Sequence, residues 1–279
     1  MAARTALSLL AVPLAFVSAC APELYKRDGV HPIHKRQHIP NTIADTRGWT
    51  FDQSEEWNTL HADWGYCMNG IQQSPIAYES WMGSSQKHQP TFNYPNSVFG
   101  SLNNWDFGPQ FTYDDSGVKP TLHFEENGKN ETVYFKSWHT HAPAEHTIDG
   151  WRPKAEMHFV HYTADGTPRA VVGFLIDRTP QSQGSEFFSQ MADSPDFRSN
   201  TTVADIEINL NIAINEVLGY TDFFTYQGSL TTPPCKEGLR WFVAKQVIYM
   251  SDLQMQTLLD RSTFSARPTQ PVWLHNVNA

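Results

Sequence analysis

Cysteine is scarce in this 279-residue chain, with three in all. Basic residues are few as well: 20 Lys and Arg stand against 29 Asp and Glu, a formal net charge of −9. A chain of that sign, with no basic patch interleaved with aromatics, is a poor partner for nucleic acid, whose binding needs clustered cations. The apolar run Ala6–Val17 is shorter than the ~20 residues a membrane-spanning helix needs. Internal repeats, low-complexity tracts and a break that would mark a second domain are all missing. That leaves neither a solenoid nor a disordered chain.

What is present is a core. Hydrophobic residues make up 40% and aromatics 13%, with nine Trp, so large rings are to be buried. The length fits one large domain. Residues 1–21 read as a secretory signal peptide: Arg4, the apolar run, then Ala19-Cys20-Ala21 as cleavage pattern, with Val17-Ser18-Ala19 competing. Cleavage after Ala21 removes Cys20 and leaves Cys67 and Cys235, an even number in an oxidising compartment, read as one disulfide. Residues 22–48 are polar. They are a flexible N-terminal arm or a pro-segment, with dibasic pairs at Lys26-Arg27 and Lys35-Arg36; His31, His34 and His38 receive no role. The sequons at Asn130 and Asn200 agree with secretion, to the extracellular space or cell wall, with no membrane association after signal cleavage. A homodimer stays open.

From Trp49 short extended runs alternate with Asn/Asp/Gly/Pro turns. Strands are expected over 97–101, 121–124, 132–137, 156–162 and 169–175, and helices over 185–192, 203–218 and 252–259, the last capped by Ser251. Periodicity alone gives an α+β, β-dominated domain.

The chemistry concentrates in Trp138–His146 and Ala155–His161. On a strand, His139 and His141 share one face, because side chains alternate. The turn signal Asp149-Gly150 makes the two segments antiparallel neighbours and brings His158 toward that face. Three converging imidazoles leave a fourth position open, which is the pattern of a catalytic zinc site. The competing reading is three core histidines. Against it stand Glu145 and Glu156, since a metal-ligating His needs its other ring nitrogen held.

His139-Thr-His141, Glu145-His146-Thr-Ile148-Asp149 and Ala155-Glu156-Met157-His158 resemble the core of the α-class carbonic anhydrases. Trp49–Phe51, Gln73-Ser74-Pro75-Ile76, Gly228–Cys235 and Arg267-Pro268-Thr269-Gln270-Pro271 follow in that family's order. The resemblance covers residues 49–279, taken as the catalytic domain. It implies a large, mostly antiparallel central twisted sheet with peripheral helices. It also implies Zn2+ on His139, His141 and His158, and reversible hydration of carbon dioxide to bicarbonate by zinc-bound hydroxide, with side esterase activity. By the same resemblance Thr231 and Glu145 orient the nucleophile and Glu156 supports His158. Val160, Val171, Leu230 and Trp241 line the carbon dioxide pocket, and Thr232 lies near bicarbonate. Some positions depart from the pattern. Ser137 stands where relatives place a Gln that supports the first ligand, and Phe51 stands where many have Tyr. The stretch Asn103–Phe107 carries no His to relay protons; Asp106 is poorly matched to that task.

Overall fold

The computed structural model describes residues 47–279 apart from Gln181 and Arg198. The signal peptide, Cys20 and the arm up to residue 46 lie outside the described residues. Thirteen strands follow in order: β1 Ala77–Tyr78, β2 Thr91–Asn93, β3 Val98–Asn104, β4 Pro109–Tyr113, β5 Thr121–Glu126, β6 Lys129–His141, β7 Thr147–Ile148, β8 Ala155–Tyr162, β9 Pro168–Arg178, β10 Val203–Ile208, β11 Phe223–Ser229, β12 Glu237–Ala244 and β13 Ile248–Met250. Eleven of them form one sheet, ordered β10-β3-β4-β6-β8-β9-β12-β11, with β5, β2 and β13 paired off this path. Within it β9 pairs in parallel with β12 and β13, and the other pairs are antiparallel. The expected β-dominated sheet is the one observed. Among the described residues the longest helix runs only from Asp252 to Asp260, and none is long and apolar enough to cross a membrane.

Both faces of the central strands are buried, so β8 reads as an almost continuous buried run. One face packs Trp138, Met157, Phe159, Val172, Phe174 and Phe242 into the main core. The opposite face carries His139 and His141 on β6, Glu156 and His158 on β8, and Val171, Trp241 and Tyr226 on β9, β12 and β11. The period-two alternation assigns each residue to its side.

Four of the expected strands fall inside observed ones and the fifth, 97–101, begins one residue before β3, whereas β1, β2, β4, β7, β11, β12 and β13 are not among the expected strands. Of the expected helices, Asp252–Asp260 is present, with Ser251 in a capping box with Gln254. Glu186–Ser189 is a single turn. The helix expected over 203–218 is corrected: residues Val203–Ile208 form edge strand β10, and only Asn211–Glu216 is α-helical. A register shift between Val203 and Ile206 is the reason. An extra residue inserted into an alternating strand gives an apolar spacing of three, which imitates a helix.

His161 is buried on the opposite face from the other imidazoles, in the main core beside Tyr94 and Phe135, and its Nε2 lies 2.7 Å from the Tyr94 hydroxyl. Burial lowers its pKa to about 3, against the pull of the Phe159 and Ala170 carbonyls. Between about pH 6.5 and pH 3 the unfolded chain therefore binds a proton that the folded chain refuses. The stability tied to His161 is complete above that window and is lost as pH falls through it. Unfolding free energies from urea titrations between pH 7 and pH 4 are expected to fall less steeply in His161→Gln, by up to about 1 kcal/mol per pH unit. Parallel curves for the two proteins would reject this.

Candidate metal centre and active site

Strand register builds the centre. His139 on β6 stands directly opposite His158 on β8, and His141 opposite Glu156. One ring nitrogen from each of His139, His141 and His158 can be chosen so that all lie within 4.8 Å of one another. Two of the three tautomers are set by their outer partners. His141 Nδ1 lies 2.6 Å from the Ser265 carbonyl, so it carries the proton and leaves Nε2 a lone pair. His158 Nε2 lies 2.8 Å from Glu156 Oε1 and donates to it, which frees Nδ1. Both free nitrogens look the same way: His141 Nε2 is 3.5 Å and His158 Nδ1 4.0 Å from one oxygen, Glu145 Oε2. His141 Nε2 is buried with no hydrogen-bond partner. His161 Nδ1 in the core is also buried and unpaired, but only the His141 ring stands beside two further imidazoles, those of His139 and His158 at 4.9 and 4.6 Å between ring centres. Neutral imidazoles suit the purpose, and burial, the largest cause, depresses all three pKa values, that of His141 to about 3. For His139 the neighbouring imidazoles and Arg47 add to the effect. The donor set and the orphaned nitrogen fit a borderline-soft dication such as zinc.

Glu156 holds this arrangement. Its Oε2 accepts the backbone N–H groups of Glu145 (2.9 Å) and His146 (2.8 Å), and its Oε1 accepts His158 and His146 Nδ1 (2.6 Å). Burial alone would raise its pKa, but the flanking imidazoles and their hydrogen bonds hold it well below the usual carboxylate range. His146, to which the sequence analysis gives no role, passes the network onward. Its Nε2 lies 2.7 Å from the Tyr226 hydroxyl, itself 3.0 Å from Ser74 Oγ. Ser74 Oγ accepts from Ser229 N, and Ser74 N donates to Ser229 Oγ. The chain of bonds thus ends on the strand that leads into Leu230 and Thr231. Neither Tyr226 nor this use of His146 was anticipated. The signal available was Glu156 between two histidines at strand spacing.

Thr231 is buried at the start of a turn closed by Leu230 N to Lys236 O and Cys235 N to Thr232 O. Cys235 is bonded to Cys67, as the cysteine count had led us to expect, and the bond ties this turn to the N-terminal segment. Arg267 clamps the same region: its N–H donates to Glu145 Oε1, and its guanidinium to Gln73 Oε1, Ser74 O and Cys67 O. Burial lowers its pKa to about 10 against the pull of Glu145, so it stays charged at neutral pH. Burial raises Glu145 well above its ordinary value, opposed by the Thr231 hydroxyl and the Arg267 N–H.

Aromatic rings wall the histidines. Trp105 lies 5.0 Å from His139 and 5.2 Å from His141, and Trp241 lies 4.8 Å from His158, ring centre to ring centre. Phe51, 5.9 Å from His141, supplies no hydroxyl. Ser137 makes no hydrogen bond to His139 among the described residues. On the site's face Val160 is paired with Val171, and Val171 with Trp241. Leu230 and Thr232 lie on the Thr231 turn, both partly exposed.

The family model of eukaryotic-type carbonic anhydrases matches residues 52–277. Alpha carbonic anhydrase 3 of Arabidopsis thaliana is 30% identical over 242 residues, which is 84% of this chain and 80% of that one. The α-carbonic anhydrase of Thermovibrio ammonificans, solved with the inhibitor sulfanilamide, superposes with a TM-score of 0.68 at 26% identity, over 80% of this chain and 94% of that one. For the fungal enzyme of Aspergillus oryzae the TM-score is 0.65 at 25% identity, over 78% and 89%. The chain belongs to the eukaryotic-type carbonic anhydrase family. It is a carbonic anhydrase by class, and carbon dioxide and bicarbonate are the substrate pair that this membership brings.

Two glycines give the network its room. A Cβ on Gly228 would sit 2.3 Å from Ser74 Oγ and 2.6 Å from the Tyr226 ring, whereas one on Gly173, opposite His158, would lie 3.3 Å from Glu156 Oε1. Gly228→Ala is expected to cost about 1–3 kcal/mol in urea denaturation, and Gly173→Ala under about 1 kcal/mol. Equal costs would contradict this account.

Proposed function

We propose that residues 49–279 form the catalytic domain of a secreted, zinc-dependent carbonic anhydrase, with His139, His141 and His158 holding the metal. The observation that carries this is the convergence of the three imidazoles with His141 Nε2 buried and unpaired. Zinc in a three-imidazole site lowers the pKa of coordinated water to about 7, a value known from this family, and so supplies a nucleophile at neutral pH.

The remaining roles belong to the chain. A dication among the imidazoles favours the ionised form of buried Glu145. An ionised carboxylate only accepts, so Thr231 must give Glu145 its one proton. The threonine oxygen is then left to accept, and it bonds only a partner that bears a proton. That selects and orients the group that attacks carbon dioxide. Glu156 fixes the tautomer of His158. Val160, Val171, Leu230 and Trp241 offer an apolar wall to an apolar substrate, and Thr232 a polar contact to bicarbonate. Water and carbon dioxide combine to bicarbonate and one proton. A slow esterase side reaction is part of the same proposal.

The proton must leave. Trp105 is buried, its Nε1 donating to Thr140 O, and Asp106 is held by Arg47 Nε at 2.6 Å. Neither is a relay, so buffer takes the proton. Secretion is supported by the disulfide, and glycan acceptance by the exposure of Asn130 and Asn200.

Metal analysis paired with stopped-flow hydration tests the ligands. His158→Ala is expected to lose nearly all zinc, and Glu156→Gln to bind it 10–100-fold more weakly. Full zinc occupancy in His158→Ala would sink the assignment. Thr231→Ala and Glu145→Ala should keep zinc and hydrate slowly, the double variant little worse than either.

At saturating carbon dioxide the rate is expected to rise with imidazole buffer, and Asp106→His to lessen that dependence. A rate near ~10⁶ s⁻¹ at low buffer would show that another group carries the proton.

A further inference from the structure

On the far side of the sheet from the histidines, a cavity of about 470 Å³ opens between the segment Phe188–Ser194 and the helix Asp252–Asp260. That volume lies in the range of small-molecule sites. Its walls are apolar and come from separate parts of the chain: Phe188, Met191, Met250 and Leu258, all buried. Most polar groups on its lining are already engaged. Gln254 Nε2 donates to Ser185 O and Ser189 Oγ, Ser189 Oγ to Ser185 O, and Thr257 Oγ1 to Leu253 O.

Two groups differ. Ser194 is 4% exposed, and its hydroxyl has no hydrogen-bond partner among the described residues. A buried hydroxyl left unpaired costs free energy that a ligand can recover. The second is Arg261. Its Nη1 donates to Ala192 O at 3.0 Å, and its Nε is 3.7 Å from the exposed carboxylate of Asp196. Nη2 makes no hydrogen bond among the described residues. A guanidinium presents paired N–H groups that match a carboxylate, and an exposed partner such as Asp196 holds it weakly.

We propose that this cavity binds a single-chain, medium-length aliphatic carboxylate. The acid group bonds to Arg261 and Ser194, and the chain lies against the two methionines, Phe188 and Leu258. Methionine-rich walls suit a flexible chain because they adapt to its shape. None of these residues belongs to the metal centre, so the site is a second one.

Calorimetric titration of the intact enzyme with hexanoate, octanoate and decanoate tests this. Affinity is expected to rise roughly tenfold for each two methylenes added. Arg261→Gln should weaken decanoate at least tenfold and leave decanol unchanged, a difference that mere loss of structure would not produce. Leu258→Trp should fill the cavity and abolish both, with circular dichroism checking its fold. No heat with decanoate at 1 mM, or equal affinity in wild type and Arg261→Gln, would overturn the proposal. So would dimers in sedimentation that Leu258→Trp dissociates while decanoate stays unbound, since a second copy of the chain would then be the occupant.

Discussion

A single buried carboxylate organises the centre of this protein. Glu156 accepts four N–H groups, two from the backbone of the Glu145–His146 corner and two from imidazoles. In an apolar interior an unpaired charge would be costly, and the fold answers by bringing three separate pieces of chain to this one. The corner after β6 is held to β8, His158 is fixed in one tautomer, and His146 is turned toward Tyr226. Gly173, opposite His158 on β9, leaves space for the oxygens. Removing the charge would release geometry at several points together, because the donors share a single acceptor group.

The same logic extends through Arg267. Its guanidinium binds Gln73, Ser74 and Cys67, while its own backbone N–H holds Glu145. The Cys67–Cys235 bond adds a covalent tie between the same N-terminal segment and the Thr231 turn. The site residues are therefore not loop decorations on a sheet. They are positioned by groups distant in sequence, which is how a small and rigid pocket is made from a single layer of strands.

Much of this was legible in the sequence, and the physics says why. His139 and His141 announce themselves because strand alternation is strict, and Glu156 and His158 repeat the same spacing one strand later. Turn residues marked where these strands end. The strands β11 and β12 went unread because both of their faces are buried and their composition mixes aromatics, glycine and charge without a period. Strand β10 was misread as helix through its bulge. His146, Tyr226 and Arg267 gave no local sign of their work, because their partners lie elsewhere in the chain: Tyr226 is 80 residues from His146, and Arg267 is 122 from Glu145.

The last residues are pinned to the middle of the molecule. His275 Nε2 lies 2.8 Å from Gln73 O, its carbonyl accepts from Gln227, and Asn278 N donates to Thr225 O. Strand β11 ends the strand order of the sheet, and these bonds cover its outer edge at Thr225 and Gln227. A sheet edge covered in this way offers no row of free donors and acceptors to a second chain, so the segment guards the strand that carries Tyr226 against edge-to-edge pairing.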